Sequence, residues 1–155
     1  MLMSMMMIVF SNRTASMREW QAGLEEDGFD LLLHQSAVFE ELSGFLPVRL
    51  DGAGTGFEVY HEDCAALVSE LSEQGWDVGG PWQYAMSFYF GGDFRELISV
   101  LAAAGSYARV TGGVVFDGEE AKVQQPVEVL DEARRVRNNY KDKLDAPRYE
   151  WRDAQ

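Results

Sequence analysis

One cysteine and two histidines are all the thiol and imidazole that this chain of 155 residues carries. Cys64 alone closes no intrachain disulfide and founds no cysteine-rich zinc site, and a count this low suits a reducing cytoplasm. No Gly-x-Ser-x-Gly, His-Glu-x-x-His, Walker or dinucleotide-binding pattern occurs. Glycines 52, 54 and 56 precede a strand, so no helix N-terminus is there to hold phosphate, and Gly112-Gly113 falls at a helix end whose dipole repels anions. No stretch approaches the roughly 20 apolar residues of a membrane span. The apolar opening, Met1 to Phe10, lacks a basic leader and breaks off at Ser11-Asn12-Arg13. It reads as a ragged run into a first strand, not as a signal peptide, and its several methionines leave the translation start open. These absences predict a chain without metal, cofactor or catalytic set.

Positive charge is scarce as well, and unevenly so. Up to Ala133 there are 22 acidic residues against six basic ones, whereas Arg134 onward holds four against seven, for a net charge of −13. Such a surface repels nucleic acid, whose binding rewards basic patches. It is matched to a cationic protein partner, and equally it could serve solubility alone.

What the chain does have is core-forming material. Hydrophobic residues make up 46%, with nine Phe, six Tyr and four Trp, enough to bury a full single-domain core. Ser16-Met-Arg-Glu19 has capping-box form and starts a helix over 17–27, with Met17, Trp20 and Leu24 in register and Gly28 as its left-handed end. Phe29 to His34 reads as a strand, residues 37–43 as a helical turn, and 45–50 and 57–60 as strands joined by a wide, glycine-rich connection over 51–56. Asp63 caps a helix from Cys64 to Gln74, closed by Gly75. The aromatic alternation of Gln83 to Phe90 predicts a strand. Asp93-Phe-Arg-Glu96, another capping box, opens the strongest helix, where Phe94, Leu97, Ile98, Leu101, Gly105 and Ala108 share a face and Ala102 to Gly105 allow close approach to a sheet. Gly112-Gly113 stops it before strand Val114 to Phe116 and a turn at Asp117-Gly118. Pro126 starts an amphipathic last helix marked by Leu130, Ala133, Arg137, Tyr140 and Leu144. The order β-α-β-β-β-α-β-α-β-α predicts an α+β domain: a mixed or antiparallel sheet carrying three main helices over residues 6–120, with a C-terminal helix and tail, 121–155, packed on it.

Two segments stand out chemically. Glu58-Val-Tyr-His61-Glu62-Asp63 brings a carboxylate within three residues of an imidazole, a spacing open to acid–base work or to a metal held by Glu58, His61 and Asp63. Strand alternation nonetheless sends Glu58 and Tyr60 to one face and His61 to the other, so a solvated strand end with a capping Asp63 explains the segment without catalysis. His34 likewise reads as a boundary residue. The loop Gly75-Trp-Asp-Val-Gly-Gly-Pro-Trp-Gln-Tyr84 sets Trp76 and Trp82 beside Asp77. Such residues serve as interface anchors, or the two indoles simply cover the base of the core.

A resemblance spans residues 10–120. Ser16-Met-Arg-Glu-Trp-Gln21 with Gly28-Phe29, Gly44-Phe-Leu-Pro-Val48, Gly56-Phe-Glu58, Gly92-Asp93, Ala102-Ala-Ala104 and Gly112-Gly-Val-Val-Phe-Asp117 together are similar to bacterial immunity proteins, the cytosolic companions of secreted toxins such as type VI secretion effectors. The resemblance implies inhibition by binding, no chemistry of the chain's own, and no shared inhibitory residue; the basic last helix lies outside it. The expectation is therefore an immunity protein, monomer or homodimer, that occludes a basic cognate toxin in the cytoplasm. Its contact residues would be Glu58, Glu62, Asp63, Trp76, Asp77 and Trp82. The competing expectations are a small-molecule enzyme using Glu58 and His61, and an adaptor or chaperone that loads an effector.

Overall fold

The computed structural model describes residues 5–144; the first four residues of the methionine-rich opening and the tail from 145 lie outside the described residues. The elements run β1 (Met5–Ser11), α1 (Met17–Glu26), β2 (Leu31–Leu33), β3 (Ser43–Leu50), β4 (Ala53–Glu62), α2 (Cys64–Glu73), β5 (Tyr84–Phe90), α3 (Phe94–Thr111), β6 (Val114–Asp117), β7 (Lys122–Gln124) and α4 (Pro126–Tyr140), with one-turn 3-10 segments at 39–41 and 141–143. The strands form one sheet in the order β2-β3-β4-β5-β1-β6-β7, and every neighbouring pair is antiparallel. The α+β architecture predicted from the sequence is the one observed.

Strand alternation divides the apolar residues between two faces. Met7 and Val9 of β1, Leu46 and Val48 of β3, Phe57 and Val59 of β4, and Met86 and Phe88 of β5 join the main core with α1, α3 and α4. Ile8 and Phe10 of β1, Ala85 of β5 and Val114 and Phe116 of β6 turn to the opposite face, where Cys64 and Leu71 of α2 and Val78 of the following loop cover them. The helices thus occupy both faces, with three on one and α2 alone on the other.

α3 is the axis of the main core. Every residue from Ile98 to Ala108 is buried, so this helix is enclosed on all sides, not on the single predicted face. Trp20 of α1 shows why: its indole N–H donates to the Ala103 carbonyl at 2.9 Å, and its ring meets Tyr107 edge-on at 5.3 Å. The predicted role of the small run also changes. A Cβ on Gly105 would lie 2.9 Å from Leu130 and 3.3 Å from Val129, so this glycine admits α4, not the sheet. Val129, Leu130, Ala133 and Val136 of α4 are all buried against the core.

The helix starts follow their caps. Ser16 and Glu19 form the reciprocal capping box of α1, and Asp63 accepts from the Ala66 N–H at the head of α2. Asp93 accepts from the Arg95 and Glu96 N–H groups, while the Glu96 carboxylate reaches the Gly91 N–H at 3.0 Å. At the end of α3 the paired glycines serve two different needs. Gly112 sits at φ 72, the left-handed conformation that an L side chain resists. Gly113 has no such φ, but a Cβ there would overlap the Phe10 carbonyl oxygen of β1.

Three boundaries differ from expectation. The β3–β4 connection is not wide: Asp51 (φ 51) and Gly52 (φ 84) make a two-residue turn, and residues 53–56 extend β4 against β3. Asp-Gly supplies the two positive φ values that a tight hairpin needs. β2 is shorter than predicted and pairs only with Val48, Arg49 and Leu50. β7 has no counterpart in the predicted order, because three residues are too few to establish an alternation.

Candidate functional site

On the face opposite the main core, α2 covers β1, β6 and the start of β5; among the described residues no helix packs on this face of β3, β4 and the end of β5. Register fixes what is displayed there. Phe45, Glu58 and Tyr89 form one row across β3, β4 and β5; Ser43, Tyr60 and Ser87 form the next; Glu62 pairs with Ala85 in the third. Phe45 is 51% exposed, the second most exposed large apolar side chain among the described residues after Val127. Its ring lies over Gly56, where a Cβ would also come within 2.7 Å of the Leu46 carbonyl oxygen, so glycine is needed for the ring to lie flat on the sheet.

Hydrogen bonds orient the carboxylates. The Tyr60 hydroxyl donates to Glu58 Oε1 at 2.7 Å, and this bond to the carboxylate raises the phenol above its ordinary range, so Tyr60 stays protonated. The buried Ser87 hydroxyl donates to Glu62 Oε1 at 2.6 Å. Tyr60 and Tyr89 meet edge to face with centroids 5.9 Å apart. Glu58, Tyr60, Glu62 and Tyr89 line a shallow depression of about 350 Å³. Its walls combine carboxylate oxygen with aromatic surface, a lining suited to a cationic, partly apolar group.

The predicted contact residues fall into two separate sets. Glu58 and Glu62 share this open face, and Asp63 beside them caps α2. Trp76, Asp77 and Trp82 stand at the far end of α2. The Trp82 indole donates to the Val78 carbonyl at 2.9 Å, and its ring packs with the second core. Trp76 leans on Phe116 at 6.4 Å, and Asp77 accepts from the Gly79 N–H to close a loop turn. These contacts seat the loop on the second core, and Trp76 stays 38% exposed.

Glu58 and His61 are not brought together. His61 turns to the helical face, where Nε2 lies 2.8 Å from the Phe39 carbonyl and the ring stands edge-on to Phe39 at 4.9 Å. Among the described residues no cluster of His, Cys, Asp and Glu has the arrangement of a metal site, and burial pushes the Cys64 thiol up, away from thiolate chemistry. Phe45, Tyr60, Ser87 and Tyr89 were not among the predicted contacts. Alternation alone places Tyr60 beside Glu58, but Phe45 and Tyr89 enter only through cross-strand register, which the sequence does not display.

The acid-to-base asymmetry resolves partly inside the molecule. Arg137 of α4 grips Asp51 through two bonds of 3.0 and 2.8 Å, and Arg134 bonds Asp131 and the Asp27 carbonyl while lying over the Phe29 ring at 5.4 Å. Arg109 of α3 holds Glu26 and Asp27. Arg109, Arg134 and Arg137 thus bond groups on the helical side, and among the described residues no ion pair holds Glu58 or Glu62.

Fold and site together define a seven-stranded antiparallel α+β domain with one packed sheet face and one half-open, acidic and aromatic face. No protein-family model, curated protein or solved structure matches this chain. Among the described residues no helix is long and apolar enough to cross a membrane.

Proposed function

We propose that this chain is an immunity-type inhibitor, which binds a basic toxin in the cytoplasm and occludes its active or substrate site. One observation carries the reading: the open half of the sheet presents Glu58 and Glu62 among Phe45, Tyr60 and Tyr89, in a chain of net charge −13. A toxin that acts on nucleic acid or nucleotides carries a cationic active site, and an anionic face with aromatic anchors is its complement. Long-range attraction raises encounter rates toward about 10⁸–10⁹ M⁻¹s⁻¹ at low salt, and the rings supply the apolar contact that retains the complex. The separation of Glu58 from His61 by the strand itself weighs against an acid–base enzyme at that position.

The test is genetic and direct. Each gene neighbouring the one for this chain is expressed alone and then with it. A neighbour that arrests growth, and whose arrest this chain relieves, supports the inhibitor. If no neighbour is toxic, or if toxicity persists in the presence of the folded chain, the reading is wrong.

A further inference from the structure

The molecule already contains the arrangement that the open face lacks one member of. On the helical side, Arg134 lies over the Phe29 ring at 5.4 Å and bonds the Asp131 carboxylate at 2.9 Å: a guanidinium, a ring and a carboxylate together. At Glu58 the ring and the carboxylate are present. Glu58 stands between Phe45 and Tyr89 in one cross-strand row, with Cβ neighbours about 5 Å away on each side, and Tyr60 holds one of its oxygens. An ionised carboxylate accepts about four hydrogen bonds, and the Tyr60 hydroxyl occupies one position and fixes the orientation of the rest. Among the described residues no Arg or Lys pairs with Glu58.

Building on the inhibitor reading, we infer that Glu58, Tyr60 and Tyr89 form the seat for an arginine side chain of the partner protein. The seat selects arginine over lysine on three counts. A guanidinium is planar and can lie along a tyrosine ring; it donates two parallel bonds to one carboxylate; and it sheds water more readily than an ammonium ion. Lysine brings only a compact, strongly hydrated charge. Glu62 lies four residues along β4, about 13 Å away at the rise of a strand, so it meets a second group and is not part of the same seat.

The probe is a capped tripeptide, acetyl-Gly-Arg-Gly-amide, titrated into the isotope-labelled full chain at low salt and followed by amide NMR shifts, with acetyl-Gly-Lys-Gly-amide as the comparison. The expected result is saturable shifts at residues 58–60 and 87–90, with the lysine peptide at least fourfold weaker. Glu58→Gln should weaken the arginine peptide fivefold or more, and Tyr89→Leu threefold or more, while the rest of each spectrum stays that of the folded chain. Absence of saturable shifts at these strands, equal binding of the two peptides, or indifference to Glu58→Gln overturns the seat. The outcome separates from that of the inhibitor reading. A toxin neutralised equally well by wild type, Glu58→Gln and Tyr89→Leu removes the seat and keeps the inhibitor; a peptide that binds as described, with no toxin relieved, keeps the seat and removes the inhibitor.

Discussion

The two faces of the sheet are built from the same strands, yet alternate residues obey different rules. On the helical face the side chains of β1, β3, β4 and β5 are buried and apolar, packed with α3 in the main core. On the other face, α2 and the 75–83 loop cover β1 and β6 with a smaller core, and the same β4 then displays Glu58, Tyr60 and Glu62 to solvent. A solvated antiparallel face needs only polar residues. Cross-strand aromatic pairs such as Tyr60 with Tyr89 add a little to the sheet, and the combination of rings and acids on this half is what the two faces do not share. The predictions below test that division, beginning with substitutions that should damage the packed face most.

Trp20→Ala should cost most. The ring is fully buried, contacts Tyr107 and Phe88, and donates to Ala103, so its removal leaves a large cavity and takes away one of the two donors to that carbonyl. A loss of about 3–5 kcal/mol by urea unfolding is expected. Tyr89→Ala, on the open side of β5, should cost under about 1 kcal/mol, since exposed positions tolerate change. Comparable losses would erase the distinction between the faces.

The paired glycines come next. Gly113→Ala forces a methyl onto the Phe10 carbonyl of the central strand and should destabilise by about 2–4 kcal/mol. Gly112→Ala meets no neighbour within 4 Å and suffers only its positive φ, for about 1 kcal/mol. The ratio is the sharper measurement, because equal losses would mean that the β1 contact is not made.

High pH should act on the packed face through Tyr107. Burial pushes the Tyr107 phenol up to about 12 from an ordinary 10.0, so the folded chain holds this proton more tightly than the unfolded chain does. Its contribution to stability is therefore complete below pH 10 and is lost as pH rises through about 12. Tyr107→Phe cannot ionise and should flatten that alkaline decline. A decline of the same size in the variant would assign it elsewhere.

Much of the packed face was legible beforehand, and the reason is local chemistry. Ser16, Asp63 and Asp93 are caps whose function is complete within three residues, and Trp20 with Leu24 declares its buried stripe at helical spacing. What required the structure was non-local. Gly105 proved to face α4 because helix–helix contact depends on the path of a chain segment some twenty residues later, and β7 is defined by its pairing with β6, not by its own pattern. The site divides likewise. Glu58 and Glu62 were readable as a solvated strand face, whereas Phe45 and Tyr89 joined them through register, and Trp82, whose indole bonds Val78, stands apart from them at the far end of α2. The acidic excess misled in one respect: without tertiary contacts, nothing shows that Arg109 and Arg137 answer acids of the same domain.

The smallest effect on the fold is expected at Glu58, and there the comparison becomes functional. Glu58→Lys changes an exposed residue of the open face, with Tyr60 as its hydrogen-bond partner, so unfolding free energy should move by no more than about 0.5 kcal/mol. Asp63→Lys is a poorer probe, because losing the α2 cap costs about 1 kcal/mol by itself. If the proposed inhibitor role holds, association with the toxin should slow markedly in Glu58→Lys, since reversal both removes attraction and adds repulsion. The wild-type association rate should fall steeply as salt shortens the range of steering to about 8 Å at physiological ionic strength. Dissociation, set by the packed rings, should respond to salt far less. The variant should show a shallower salt slope than wild type, because less attraction remains to be screened. Association rates flat across low and high salt in both proteins would reject steering and leave the net charge of −13 as a solubility feature.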